Sequence, residues 1–364
     1  MTGRDIPDPS PLGQLMSEIT HRNHFVPQFY LQEWTDEHRK LWSYRTLVAH
    51  ENVPMWSHIS TRSVAARMDL YTEVVDGAEV DEFEHWVKGE FEDPAAEVLP
   101  KVRQGGILEA KDWERLAMFF ASQDVRTPTS LIESLQRWSR ELPDLLNKTI
   151  RESVDRLEDA KRRGVQIAAP PDSHAMVRPF RVVIDREAEA PPGMVQIRAE
   201  VTPGRSLWLG SMKHLLKGVA ETLMTYRWSL VEPSTGLEWL TSDHPTMRLN
   251  YNSAQDYSFG GGWGFRGTDL LMPLSPKHLL FTQVAKEHPR HLQFTPEQTR
   301  ELQRLLCGRA HREIFARTPE DYVPSFRPRV VDAAMVRHEE EEWARWHRQQ
   351  GELEREMESD DRST

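Results

Sequence analysis

"YRWSLVEPSTGLEWLTSD" spans residues 226–243. Two runs rich in aromatic and β-branched residues, YRWSLVE and LEWLTSD, flank the turn-forming PSTG. Such a pattern predicts a β-hairpin. DLLMPLSP at 269–276 and KHLLFTQV at 277–284 read as further β structure. The second half of the chain is therefore expected to hold a mainly antiparallel sheet. Helices bracket it. LWLGSMKHLLKGVAETLMT at 207–225 is one, and Thr295 or Pro296 opens another expected to run to about Ala316. GGGWGFRG at 260–267 follows no clear strand and lacks a Lys-Ser/Thr ending. It reads as a loop rather than a phosphate cradle.

Upstream the period changes to that of helices. Pro27–Trp34 predicts a short helix and KLWSYRT a strand. Asp81 and Glu84 have the spacing of a capping box, with Val80 placed for a staple. The helix they open carries an apolar stripe of Phe83, Val87, Phe91 and Val98, with a kink or split expected at Pro94. Asp112 is expected to cap a second helix that ends near RTP, because Pro128 disfavours a helical Thr127. A third covers about 129–163, whole or broken at Pro143. These elements together make an α+β fold: a helix-rich N-terminal half packed against a mainly antiparallel sheet, with a long charged C-terminal helix. Residues 1–16 read as a loose arm, 17–325 as a single domain with 165–205 as an insertion or an edge strand pair, and 326–364 as a charged helical tail.

Composition narrows the function classes. The chain has 364 residues, 12 of them Trp and 13 Phe, enough to fill a core and too aromatic for a disordered chain. Its single cysteine, Cys307, leaves no intrachain disulfide framework and no cysteine cage for zinc. It points to a reducing, cytoplasmic location. The first residues lack a basic-then-apolar signal pattern, and no run reaches the roughly 18 apolar residues of a membrane span, so no membrane partner is expected. A net charge of −11 weighs against broad nucleic-acid binding, although a local basic groove is compatible with it.

Three fragments carry a resemblance: NHFVPQFYLQEWT at 23–35, WLTSDHP at 239–245 and LLMPLSPKHLLF at 270–281. LYTE at 70–73, the acidic helix around Glu84–Glu92 and ASQDVRTP at 121–128 fit between them. In order and spacing the set resembles a widespread bacterial family of uncharacterised proteins, a domain of unknown function. The resemblance covers about residues 20–320. It implies one domain architecture and no activity. In the acidic helix Glu84, Glu90 and Glu92 each match.

Several chemistry-bearing side chains fall where a bland fold has no need of them. His24 precedes Pro27 at the mouth of a helix. Glu90 lies within the apolar stripe of its helix and Glu84 on its edge. Asp124 is one turn beyond Phe120, with Gln123 and Arg126 beside it, and Asp243 and His244 leave a strand ahead of Pro245. A buried carboxylate must be paired, protonated or metal-bound. Glu84, Glu90, Asp243 and His244 are therefore candidate ligands for Mg²⁺ or Mn²⁺. His24, Asp124 and Arg126 are the candidate catalytic groups, with His24 as base or ligand and Arg126 stabilising a phosphate. Each has a bland counterpart: His24 bonding a backbone carbonyl, Glu84 capping its helix, Asp124 and Arg126 forming an ion pair, Asp243 bonding backbone amides in a turn. Cys307, His311 and His338 are assigned to packing or surface.

Three functions follow from these alternatives. One is a metal-dependent, nuclease-like hydrolase acting on a phosphodiester or nucleic acid. The second is a non-catalytic sensor or scaffold that meets a protein partner, or itself, through residues 330–364, where Trp343 and Trp346 lie on a charged helix. The third is a nucleic-acid-binding module using AKRRG at 160–164 and the Arg-rich segment 300–317.

Overall fold

In the computed structural model, which describes residues 19–75, 77–165, 180–185, 196–201 and 203–361, the two runs around PSTG do not pair with each other. Ser229–Glu232 lies between Leu279–Gln283, antiparallel, and His291–Gln293, parallel. Thr241–Ser242 pairs with Glu313–Ala316 in a different sheet. The expected hairpin is thus corrected, and the cause is burial on both sides. Trp239 and Leu240 are consecutive and both buried, yet they enter different apolar clusters. Successive side chains of an extended segment point opposite ways. With core on both sides, the chain passes between two sheets instead of folding back along one.

The larger sheet has six strands in the order Asp256–Ser258, Met247–Ser253, Asp269–Pro273, Leu279–Gln283, Ser229–Glu232, His291–Gln293. All its neighbours are antiparallel except the last pair. The runs at 269–284 form adjacent strands, turned at Ser275, whose Oγ accepts from the amides of Lys277 and His278. The smaller sheet orders Thr241–Ser242, Glu313–Ala316, Lys40–Arg45 and Ser57–Ser60. It unites the N-terminal third with residues beyond 240.

The helices bear out α+β, with several boundaries moved. Asp81 occupies the cap position of Glu82–Val87, but its carboxylate accepts from Thr20 N (2.8 Å), so the expected capping box does not form. The next helix, Ala110–Val125, is capped by Glu109, with Asp112 as the reciprocal member of a true capping box. Thr127 is extended and Pro128 opens Pro128–Arg162, which runs unbroken through Pro143. Thr295 and Gln298 box the start of Pro296–Arg309. That helix stops seven residues short of Ala316, because residues 311–313 give their amides to Asp243 and Glu313–Ala316 joins the small sheet. Phe180–Asp185 and Gln196–Val201 form an antiparallel pair of their own. Most of the expected insertion, and the N-terminal arm, lie outside the described residues.

The three fragments that carry the resemblance meet in one place. Tyr30 and Trp34, both fully buried, sit side by side with ring centroids 5.0 Å apart. Tyr30 O–H donates to Pro273 O (2.7 Å) and contacts Thr241 Oγ1 (2.6 Å), and Trp34 Nε1–H donates to Trp239 O (2.8 Å). Three segments far apart in the chain are thus pinned through buried aromatic groups whose polar tips are satisfied.

The charged tail, Ala333–Asp361, is docked on the body. Trp343 and Trp346 stack on each other and pack against the main core. Glu354 takes both arms of the buried Arg205 guanidinium (3.0 and 2.6 Å) and also accepts from Val74 N. Gly204 permits this close approach. A Cβ there would lie 2.0 Å from the Gln350 amide oxygen that accepts from Arg205 N.

Candidate functional site

A cavity of about 510 Å³ opens where the N-terminal strand, the SDHP loop, the segment after Arg309 and the tail converge. Asp243 forms its floor. Asp243 Oδ1 accepts from His311 N (2.8 Å), and Oδ2 from Arg312 N (2.7 Å) and Glu313 N (3.0 Å). Burial pushes this carboxyl up, opposed by His311 and the three amides. The carboxylate bonds backbone amides as its bland reading has it, but those amides belong to a distant segment rather than to its own turn.

His311 and Glu313 are thereby aimed into the cavity. Burial lowers the His311 pKa against the pull of Asp243, so its imidazole is neutral near pH 7. Among the described residues that ring makes no hydrogen bond. Burial, reinforced by Asp243, pushes Glu313 up to about 7. Its oxygens receive only Ala65 N (3.3 Å) and Ser43 Oγ (3.5 Å), with Arg45 Nε at 3.8 Å.

Two further guanidinium groups line the cavity. Arg312 is held in a two-point clasp by Glu339 of the tail. Arg67 lies over the Trp343 ring, 4.8 Å from its centroid. Among the described residues it has no ion pair or hydrogen bond, and burial lowers its pKa.

Behind this cavity sits a buried ion cluster. Arg126 is fully buried and its Nη1 meets Glu92 Oε1 at 2.6 Å. In the amide orientation that satisfies both groups, Gln123 accepts from Arg126 Nη2 (2.8 Å) and Nε (2.7 Å). Tyr71 O–H donates to Arg126 O (2.6 Å). Glu84 faces the same guanidinium. Burial pushes it up to about 7 against the pull of Arg126, with Glu92 and Asp81 adding to the rise, and its Oε2 has no partner among the described residues. His24 feels this cluster too. Burial lowers its pKa, with Arg22, Glu92 and Arg126 as charged neighbours, and its Nε2–H donates to Arg62 O (3.3 Å).

Glu90 is corrected: it is exposed. Lys88–Glu92 is a π-helical turn between Glu82–Val87 and Asp93–Arg103. The extra residue shifts the helical phase, so Glu90 stays outside while Phe91 is buried and Glu92 reaches Arg126. Asp124 faces away from Arg126. It accepts from Thr246 Oγ1 (3.0 Å) and Trp263 Nε1 (2.9 Å), fastening its helix to the strand at 247–253 and to the glycine-rich loop. His244 is buried with Nδ1 against Thr127 Oγ1 (2.5 Å), and burial, then Arg309 and Arg248, keep it neutral.

His24, Glu84 and Arg126 therefore share one neighbourhood, Asp243 belongs to the cavity, and Asp124 and His244 serve neighbouring joints. The four expected ligands Glu84, Glu90, Asp243 and His244 face different surroundings. Among the described residues no three His, Cys, Asp or Glu side chains are grouped to hold a metal ion. The four residues expected to share one ion are therefore not gathered into one site. Sequence reading passed over Glu313 and Arg67, assigned His311 to packing or surface, and left Glu92 as one of three matching glutamates. The signal for His311 and Glu313 was present in HREIF, where imidazole, guanidinium and carboxylate crowd the entrance to a strand.

Comparison with known families matches residues 22–320 to the family described as "Protein of unknown function (DUF4238)". The match covers most of the chain, as the three converging fragments led us to expect. No curated protein and no solved structure matches the chain. Among the described residues no helix is long and apolar enough to cross a membrane.

Proposed function

This chain belongs to the DUF4238 family of proteins of unknown function, and we propose that its cavity binds a phosphoester anion and hydrolyses it with His311 as general base. One observation carries the reading: an imidazole without a hydrogen-bond partner and a guanidinium without an ion-pair partner, among the described residues, line the same cavity. Arg67 receives the anion. His311, neutral and backed by Asp243, takes a proton from the attacking water. Glu313, raised to about 7, keeps a proton to give to the leaving oxygen. Water adds to phosphorus, the bond to the leaving group breaks, and the proton moves from water to His311 and from Glu313 to the product alcohol. Every step in this scheme uses the chain's own side chains. The scaffold alternative has less behind it, since Trp343 and Trp346 already pack within the molecule.

The test is turnover of bis(p-nitrophenyl) phosphate by the full chain with chelator present. His311→Ala is expected to lower kcat by about 10²–10⁴-fold, the usual worth of a positioned base, and Arg67→Ala chiefly to raise KM. Absence of turnover by the wild type, or unchanged kcat in His311→Ala, overturns the reading. Turnover lost to chelator and restored by Mn²⁺ overturns the metal-free version of it.

A further inference from the structure

The family match ends at residue 320, yet the cavity wall continues beyond it into the tail, through Glu339, Glu340 and Trp343. Resting on the phosphoester reading of this cavity, we propose that tail residues Glu339 and Trp343 set its charge selectivity, so that it takes a singly charged phosphodiester in preference to a doubly charged phosphomonoester. The cavity holds three guanidinium groups, and two of them face carboxylates. Arg312 is clasped by Glu339 through Nε (3.1 Å) and Nη2, and Arg45 lies 3.8 Å from Glu313, which is ionised at pH 8, above its raised value of about 7. Arg67 alone has no carboxylate in ion-pair contact among the described residues; Glu339 and Asp243 act on it only through space. Trp343 shelves it at 4.8 Å and, through Nε1–H to Met68 O (3.2 Å), ties that shelf to the strand carrying Arg67.

One available cation matches one negative charge. A second charge on the ligand would meet Glu339, Glu340 and Asp243 with no free guanidinium to offset them, and like-charge juxtaposition is how sites reject a wrong partner. Glu339 thus works as a built-in anion that keeps Arg312 occupied. The tail lies outside residues 22–320, the span the family model matches.

The experiment is calorimetric titration of the full chain at pH 8 with diethyl phosphate, a monoanion, and phenyl phosphate, a dianion. The wild type is expected to favour diethyl phosphate. Glu339→Gln, which frees Arg312, should tighten phenyl phosphate by about tenfold or more, the scale of one gained charge contact, with little change for the diester. Glu339→Asp keeps the charge and should keep the wild-type preference, which separates charge from packing. Retained binding with an unchanged ratio in Glu339→Gln overturns the selectivity proposal and leaves the phosphoester reading standing. An equal shift in Glu339→Asp also overturns it. Failure of the wild type to bind either ligand removes both.

Discussion

Glu84 illustrates how a single carboxyl can record its surroundings. It ionises near 4.5 when exposed, but burial raises it to about 7 in the fold. Between those values the folded chain holds one proton more than the unfolded chain. This group's contribution to stability therefore falls as pH rises from about 4.5 to 7 and is level above. Glu84→Gln removes the effect. It is expected to gain about 2 kcal/mol on the wild type at pH 8 relative to pH 4.5, a figure discounted for its partial exposure. Urea denaturation at the two pH values reads this directly, and an equal difference at both would contradict it. Arg126, by contrast, keeps its charge because Glu92 and Gln123 surround it. A buried arginine so enclosed holds elements in register.

Among the elements, the tail helix shows how charge can be structural. Its sequence reads as a solvated, highly charged helix, yet Gln350 and Glu354 are buried against Gly204 and Arg205. Removing one partner of a buried ion pair leaves the other uncompensated, at a cost of about 3–5 kcal/mol. Glu354→Ala is expected to destabilise the chain by about that much in chemical denaturation, whereas Glu341→Ala, on the exposed face, should fall within about 0.5 kcal/mol. A loss below about 1 kcal/mol for Glu354→Ala would show that Arg205 finds water. The acidic helix teaches a related lesson. A π turn shifts the phase there, and a count of 3.6 residues per turn carried through it misplaces Glu90.

Taken together, residues 65–68, Asp243, the segment 311–313 and the tail line one cavity beside the four-stranded sheet. The tail belongs to this packing rather than hanging from it, since Trp343 and Trp346 join the main core. Trypsin added to the native protein is therefore expected to spare the tail's arginines, Arg337, Arg345 and Arg348. Their cleavage should appear with global unfolding, monitored by circular dichroism over the same urea range. Release of the tail well before that transition would show that it melts independently.

Local order was written plainly in the chain. Proline and threonine placed the break at Thr127–Pro128, helical period found Ala110–Val125, and β-rich runs found the strands at 269–284. The α+β class and the family followed from these and from the three fragments. Both depend on nearest neighbours along the chain, where propensity and burial period act. Which strand pairs with which, and that His311 rather than His24 enters the cavity, came from contacts between segments far apart in the chain. Asp243 gathers the amides of 311–313, and only that long-range capture ends a helix early, starts a strand and presents an imidazole to Arg67. Side-chain period reports that a face is buried; it carries no information about which distant group will bury it.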